Sequence, residues 1–180
     1  MDLAVRNLRP DDRAAAVTLL ARAFVDEPYV ILRNGADPGV RREALLARYA
    51  AEDPGRHTVA LGAYAGGALM GALLGSLPGG CLGCDLNEDT DPWSQAVAVA
   101  HADQAPHLRV GRLGVDPSHR GVGAATGLLH AAVGLGRTFG VATLLECQAH
   151  RIGFYERRGF TVVARIADPP QADGAVLHRV

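Results

Sequence analysis

The sequence predicts a mixed α/β fold, and the order of its apolar segments is the main reason. Seven segments have the alternation or the short apolar run of a strand, and four have the apolar spacing of a helix, in the order β-α-α-β-β-β-α-β-α-β-β. Hairpin signals join several strands, whereas residues 107–147 have the pattern of a strand-helix-strand crossover. A sheet of this mixed kind buries its faces against helices, so the predicted class is layered α/β.

Length and charge limit the function classes. A chain of 180 residues suits one domain, which we expect to span residues 1–180. The formal net charge is −1, from 18 basic and 19 acidic side chains, so no field of a single sign favours a nucleic acid or a membrane. All 18 of these basic residues are arginine, which excludes a Schiff-base lysine and the lysine of a nucleotide-binding phosphate loop. No apolar run is long enough for a bilayer, and residues 1–12 carry acids where a signal peptide is apolar, so we expect a cytoplasmic protein.

The N-terminal part is predicted to form helices and a hairpin. Pro10 and the two acids after it suit the first turn of a helix. Gly66-Gly67 is a turn signal between two strand patterns. In order, the predicted elements are a strand over 3–8, a helix over 10–24, a loop over 27–39, a helix over 40–51 and strands over 57–65 and 68–77.

The C-terminal part begins with an irregular segment. Residues 78–106 exceed a usual hairpin loop, so we expect a lid or a binding loop that contains a short helix near 94–102. In the strand that follows, Gly111 and Gly114 indicate a bulge or the close approach of a ligand to the backbone. The remaining elements are this strand over 107–115, a helix ending near Phe139, a strand over 141–147, a helix over 150–158 and strands over 161–167 and 175–180.

Cys81 and Cys84 form a CxxC pair inside the irregular segment. A zinc site needs a second pair of ligands, and Cys147 with the scattered histidines forms no recognisable one. A redox pair begins a helix after a strand, whereas this pair follows Pro78-Gly79-Gly80. We interpret the pair as two loop thiols and expect no metal, and a zinc-binding loop is the weaker alternative.

The turn within residues 115–129, VDPSHRGVGAATGLL, has the features of an anion site. The first amides of a helix lack partners within it, and the helix dipole favours an anion there. Small residues at 121–125 leave these amides open, Arg120 adds a positive charge, and Thr126 offers a hydroxyl. A tight turn closed by glycine explains one glycine only, so we predict a pyrophosphate site.

A dinucleotide-binding unit is the first alternative for this turn. Its fingerprint is G-x-G-x-x-G, and Thr126 occupies the position of the third glycine. Glu146, in the following strand, could take the role of the ribose-binding acid. Hairpin patterns flank the unit, however, whereas a doubly wound sheet needs further strand-helix repeats, so we disfavour this alternative.

Two motifs resemble those of the GCN5-related N-acetyltransferases (GNAT). Residues 120–125, Arg-Gly-Val-Gly-Ala-Ala, resemble the Q/R-x-x-G-x-G/A motif, and the preceding LGVDPSHRG is similar to L-x-V-x-P-x-x-R-G. FYERRGF, residues 154–160, resembles the second signature, F-Y-x-x-x-G-F. The resemblance extends over about residues 3–166 and is supported by motifs from 107 to 160. It implies a mixed, mostly antiparallel sheet of about seven strands, flanked by about four helices.

The resemblance implies acetyl-CoA as the co-substrate. The pyrophosphate would lie on the amides of residues 120–125, and the pantetheine arm would pair with the backbone of residues 113–115. The family often has an asparagine seven residues before its tyrosine, where this chain has Gln148. The cofactor-binding residues so implied are Leu113, Gly114, Val115, Arg120, Gly121, Val122, Gly123, Ala124, Ala125, Thr126 and Gln148.

The implied reaction is direct attack of a primary amine on the thioester. Such a reaction needs a deprotonated amine, a donor for the oxyanion and an acid for the leaving thiolate. Tyr155 matches the family tyrosine that protonates the coenzyme A sulfur, and a buried aromatic beside Phe154 is the alternative interpretation. The amide near Val115 is the expected oxyanion donor.

The base is less clearly marked. Many family members have an acid on the bulged strand, where this chain has Arg109 and Arg112. Glu146, at the end of a core strand, is our first candidate, and a solvated strand end is the alternative. His107 and Asp103 come next, and a water relay without a dedicated base stays open.

The acceptor is expected to be a cationic amine, either a small molecule or a peptide amine. The segments that the resemblance places around it carry acidic and aromatic residues, namely Glu27, Tyr29, Asp85, Glu88, Asp89, Asp91 and Trp93. Solvated loop charges are the alternative. No basic groove accompanies the aromatics, so no nucleic acid is expected. A homodimer formed through the last two strands is compatible with this sequence.

Two function hypotheses follow. The favoured one is an acetyl-CoA-dependent N-acetyltransferase. The alternative is a non-catalytic acyl-CoA-binding or sensing module on the same fold, because a fold does not guarantee an activity. An intact turn without a base would favour the second, whereas the retained Tyr155 favours the first.

Overall fold

A computed structural model describes residues 2–51, 58–78, 92–102, 104–166 and 173–180. By its internal contacts the chain forms two compact units. The first comprises Met1–Gly75 and Arg112–Ala131, and the second comprises Ser76–Gly111 and Ala132–Val180. The single domain over residues 1–180 stays a prediction.

The strands form a seven-stranded sheet of mixed direction in the order β1-β2-β3-β4-β5-β7-β6. Strand β4 pairs with β5 in parallel, whereas the β1–β2, β2–β3, β5–β7 and β6–β7 pairs are antiparallel. This confirms the predicted mixed α/β class, its mostly antiparallel sheet and its strand count. The strands are β1 Leu3–Asn7, β2 Val59–Ala65, β3 Ala68–Ser76, β4 His107–Val115, β5 Ala142–Gln148, β6 Thr161–Ile166 and β7 Gly174–Arg179.

Six α-helices lie in the described part of the chain, two more than the predicted number of about four. One of these two helices, α4, lies where the sequence predicts a short helix near residues 94–102. No helix among the described residues is both long and apolar enough to cross a membrane. The helices are α1 Arg13–Phe24, α2 Pro28–Asn34, α3 Pro38–Ala51, α4 Pro92–Ala102, α5 Ala124–Thr138 and α6 Ile152–Glu156.

Helix α2 corrects the prediction of a loop over residues 27–39. Pro28 stands in its first turn, Val30 is its buried residue, and Gly35 ends it with a φ of 84°. Seven residues are too few for an apolar period to stand out in the sequence, so tertiary packing decided this helix. The buried guanidinium of Arg41 donates to the carbonyl oxygens of Val25 and Gly35, at 2.6 and 3.2 Å, and so holds both flanks of α2.

In the first unit, helices α1 and α3 pack against each other and against strand β3. Their core contains Leu20 from α1, Leu45 and Tyr49 from α3, and Ala72 from β3. Helix α1 repeats apolar residues at helical spacing, so its buried face follows directly from the sequence pattern.

In the second unit, helix α4 covers strands β5, β6 and β7. Val97 packs with Leu144, Ile166 and Val176, all of them buried. Strand β5 lies between β4 and β7, and its ladder with β4 runs from His107–Ala142 to Val110–Leu145. Glu146 is thus the first residue of β5 beyond the ladder with β4, and on its other edge it pairs with Val176 of β7, as its neighbours in β5 also pair with β7.

Candidate active site

The turn after β4 begins at a buried aspartate. The Asp116 amide donates to the Met70 carbonyl oxygen at 2.9 Å. The Asp116 carboxylate accepts hydrogen bonds from the hydroxyl and the amide of Ser118, at 2.6 and 3.0 Å, and forms an ion pair with Arg22 of α1. The Ser118 hydroxyl lowers the pKa of Asp116, and the Ser118 amide and the charge of Arg22 act in the same direction. Asp116 was not among the predicted site residues, although Asp before Pro is itself a turn signal.

Two glycines shape the turn itself. Gly121 and Gly123 have φ angles of 85° and 88°, in the left-handed region that other residues rarely adopt. A Cβ atom at either position would meet nothing within 4 Å, so conformation and not packing requires glycine there. The space beside both glycines is therefore open, as the predicted pyrophosphate site needs.

Helix α5 begins directly after these glycines. Its first hydrogen bond runs from the Gly127 amide to the Gly123 carbonyl oxygen at 2.9 Å, so the amides of residues 124–126 belong to the open first turn. Residues 120–123 are exposed, whereas Leu128 and Leu129 are fully buried and anchor the helix. The predicted turn residues thus lie together at the N-terminus of a well-anchored helix, a position that attracts anions.

The predicted pantetheine segment, residues 113–115, lies at the end of β4. A Cβ atom on Gly114 would stand 2.8 Å from Leu20 Cδ2 and 3.0 Å from Ala23 Cβ. Packing of helix α1 on this face is therefore one reason for a glycine at position 114. The approach of a ligand to the backbone of the segment stays a prediction.

Glu146 lies in a cluster of charged groups in the second unit. Its side chain is 11% exposed, which excludes a solvated strand end. Arg109 of β4 forms an ion pair with it through two nitrogens, and Arg109 Nε lies 3.3 Å from Glu146 Oε2. Burial by itself raises the pKa of Glu146, but the charge of Arg109 and the contacts with His101 and Arg109 outweigh it and lower the pKa to about 2. Such a carboxylate is ionised at neutral pH and holds a proton weakly.

His107, the next candidate for the base, belongs to the same cluster through His101 of α4. His101 Nε2 lies 3.3 Å from Glu146 Oε2, and His101 Nδ1 lies 3.0 Å from His107 Nε2. Burial lowers the pKa of His107. His101 is not recognisable as a site residue from the sequence, because the sequence does not show which residues of a short helix face the sheet.

Tyr155 lies in α6, packed edge-on between two aromatic rings. The centroid of its ring is 5.0 Å from that of Phe154 and 6.0 Å from that of Phe160. Its carbonyl oxygen accepts from the amides of Arg158 and Phe160, at 2.8 and 3.2 Å, so the backbone around it is well held. The ring is half-buried, which leaves part of the side chain accessible.

A family model described as the acetyltransferase (GNAT) family matches residues 20–160. This chain belongs to the GNAT acetyltransferase family. The resemblance seen in the two motifs is thereby confirmed, and the protein is an acyltransferase that uses a coenzyme A-based acyl donor. The alternative of a doubly wound dinucleotide-binding fold is excluded by the strand order.

Solved GNAT structures have the same fold. The histone acetyltransferase HPA2 and related acetyltransferase from Corynebacterium glutamicum has a TM-score of 0.69 and 22% identity, over 99% of this chain and 96% of that chain. The Drosophila melanogaster polyamine N-acetyltransferase, which forms N-acetylagmatine, has a TM-score of 0.65 and 18% identity, over 99% of each chain. The PaiA N-acetyltransferase from Thermoplasma acidophilum in complex with coenzyme A has a TM-score of 0.60 and 15% identity, again over 99% of each chain.

The remaining predicted site residues lie in several different elements, and some lie outside the described part of the chain. Gln148 is the last residue of β5 and pairs with Gly174. Glu27 precedes α2, and the Tyr29 hydroxyl accepts from Arg33 at 3.1 Å. Cys147 is buried, and the described residues contain no group of three or more potential metal ligands. The predictions outside the described residues concern Cys81, Cys84, Asp85, Glu88, Asp89, Asp91 and Asp103, together with the side chain of Trp93.

Proposed function

We propose that this protein transfers an acetyl group from acetyl-CoA to a primary amine by direct attack on the thioester. The observation that carries the proposal is the turn at Gly121 and Gly123, whose left-handed backbone leads into the open first turn of α5. Membership of the GNAT family supports it independently.

The cofactor is assigned to the turn and to the strand before it. The pyrophosphate lies on the amides of residues 120–125, with Arg120 supplying charge and Thr126 a hydroxyl. The pantetheine arm pairs with the backbone of residues 113–115 and is contacted by Gln148.

The reaction forms one bond and breaks one. The amine nitrogen attacks the acetyl carbonyl carbon, the oxygen develops negative charge near the Val115 amide, and the carbon–sulfur bond then breaks. Tyr155 gives its phenolic proton to the departing thiolate of coenzyme A. Glu146, which forms an ion pair with Arg109, is assigned as the base that takes the proton the amine loses.

The acceptor is assigned as a small amine or the amine of a peptide. Glu27 and Tyr29, at the start of α2, are the predicted acceptor residues within the described part of the chain. Acetylation of polyamines by the Drosophila structural neighbour supports a cationic amine. The cytoplasmic location and the homodimer stay predictions.

A non-catalytic acyl-CoA sensor remains the second candidate. The observation that favours it is the Arg109–Glu146 ion pair, which makes the first candidate base a weak proton acceptor. A sensor would bind acetyl-CoA with the same turn and release no coenzyme A.

Release of free coenzyme A from acetyl-CoA, measured across a panel of amines, tests the proposal. We expect turnover with at least one amine and a decrease of about 10²-fold or more in kcat for Tyr155→Phe. Tyr64→Phe, a tyrosine of β2 outside the proposed site, is the matched control and should retain activity. Saturable binding of acetyl-CoA, with no amine causing release of coenzyme A, would favour the sensor. Absence of acetyl-CoA binding would contradict the assignment of the turn as the cofactor site.

A further inference from the structure

Arg41, near the start of α3, is a charged residue buried in the first unit, with an exposure of 5%. Its Nε donates to the Val25 carbonyl oxygen at 2.6 Å, and its Nη1 donates to the carbonyl oxygens of Gly35, at 3.2 Å, and Ala36. Its Nη2 donates to the Asp26 carboxylate at 2.8 Å. One side chain thus binds the chain on both sides of α2.

The planar shape of the guanidinium group suits it to this task. Its five N–H donors point in fixed directions, whereas a lysine ammonium is one small charge at the end of a flexible chain. The hydrogen bonds of Arg41 use four of the five donors, so groups before and after α2 are held at a set distance from each other. A lysine at this position would reach one flank of α2 but would not hold both.

Helix α2 depends on contacts of this kind for its position. It has seven residues, of which Val30 is the buried one. A helix this short is not stable through its own hydrogen bonds alone. Burial of Val30 anchors its middle, and Arg41 fixes the chain just before and just after it, so removal of the guanidinium frees both flanks together.

The start of α2 lies beside the strand segment assigned to the pantetheine arm. Helix α1 ends at Phe24, directly before the first flank of α2. A Cβ atom on Gly114 would lie 3.0 Å from Ala23 Cβ and 3.5 Å from Phe24 Cε2, so the last turn of α1 packs on that strand. Glu27 and Tyr29, the proposed acceptor residues, follow within a few positions, in the same unit as the cofactor turn.

We propose that Arg41 is a positioning residue that sets the affinity of the protein for its acceptor amine. It fixes α2 and so presents Glu27 and Tyr29 to the amine in one orientation, without touching the substrate itself. This inference rests on the proposed acetyl transfer and on the assignment of these two residues to the acceptor. The cofactor turn is held separately, by Asp116 and the turn glycines, so loss of the Arg41 hydrogen bonds should weaken amine binding and leave acetyl-CoA binding unchanged.

Arg41→Met and Arg41→Lys test the proposal. Arg42→Met is the matched control, because Arg42 is the next residue of α3 and is exposed. We expect kcat/KM for the amine to fall about 10-fold or more in Arg41→Met, through a higher KM for the amine with kcat nearly unchanged, and to fall less in Arg41→Lys. The KM for acetyl-CoA should keep its native value in all three variants.

Gly35→Ala disturbs the far flank of α2 without changing Arg41. Gly35 has a φ of 84° and open space beside it, so an alanine there is strained in its backbone and is not blocked by a neighbour. Gly66→Ala is the matched control, because Gly66 has a φ of 55° and open space in the turn between β2 and β3. Both variants should lose stability, and Gly35→Ala alone should raise the KM for the amine. A rise in both variants, or in neither, would overturn the proposal, because the KM would then not follow the position of α2.

Hydrogen exchange of the α2 amides supplies a readout independent of activity. The amides of Ile31 and Gly35 donate to the carbonyl oxygens of Glu27 and Ile31, at 3.0 and 2.9 Å, and should exchange faster in Arg41→Met, while the amides of β3 keep their native protection. Unchanged protection of α2, or a folded Arg41→Met variant with the native KM for the amine, would overturn this inference and leave acetyl transfer standing. Inactivity of the native protein towards every amine would overturn both.

Discussion

The carboxylate of Asp116 accepts hydrogen bonds from both the hydroxyl and the amide of Ser118, at 2.6 and 3.0 Å. This pair begins the turn that leads from β4 to the glycines of the proposed cofactor site. Arg22 of α1 forms an ion pair with the same carboxylate, 94 positions away in the chain. A buried acid at a variable position of the LGVDPSHRG segment therefore sets the direction in which the turn leaves the strand.

Asp116→Ala should destabilise the protein by about 1–3 kcal/mol, because the Ser118 donors lose a buried acceptor. Asp116→Asn keeps an acceptor oxygen and loses the charge, so its effect should be smaller. Urea unfolding at pH 7 measures both variants, and acetyl-CoA titration should show weaker binding for Asp116→Ala. Equal stability of the two variants and the native protein would contradict the role assigned to Asp116.

Gly123→Ala should lower both stability and cofactor affinity. An alanine Cβ at a φ of 88° costs about 1–3 kcal/mol, although no neighbouring atom blocks it. Gly134→Ala, within the helix α5 that follows Gly123, is the matched control, since Gly134 also has open space and has no positive φ. It should raise stability by about 0.5–1 kcal/mol and leave acetyl-CoA binding unchanged. If both variants were stabilised, or both destabilised, the positive φ of residue 123 would not be what requires glycine there.

The Arg109–Glu146 ion pair should make stability depend on pH in the acid range. The ion pair lowers the pKa of Glu146 from its ordinary value of 4.5 to about 2 in the folded protein, so its contribution to stability is present above about pH 4.5 and is lost as the pH falls towards 2. The free energy of unfolding of the native protein should decrease as the pH is lowered from 6 to 3. Glu146→Gln should be less stable at pH 6 and show a flatter dependence, because Arg109 is left without its carboxylate. A native curve as flat as that of the variant would argue against the ion pair.

Much of the fold follows from local patterns in the sequence. Strand β4 and helix α5 have long apolar repeats, and the Gly66-Gly67 turn is marked by its residues, whose φ angles are 55° and 84°. Helix α2 was missed because a helix of seven residues depends on burial of Val30 and on the hydrogen bonds of Arg41 to its flanks. At Gly114 the side chains of α1 fill the space where a Cβ atom would stand, a contact that the sequence does not show, and the approach of a ligand to the backbone stays a prediction.

The sequence by itself determined the strand order along the chain, the glycine turn and the family, because each of these depends on residues that are neighbours in the chain. Tertiary structure alone decided which side chains surround Glu146. Parallel pairing of β4 with β5 brings Arg109 to a residue 37 positions away, and the packing of α4 adds His101. Hydrogen bonds and charges act over a few ångströms of space, so their effect on Glu146 exists only once the sheet and α4 have assembled.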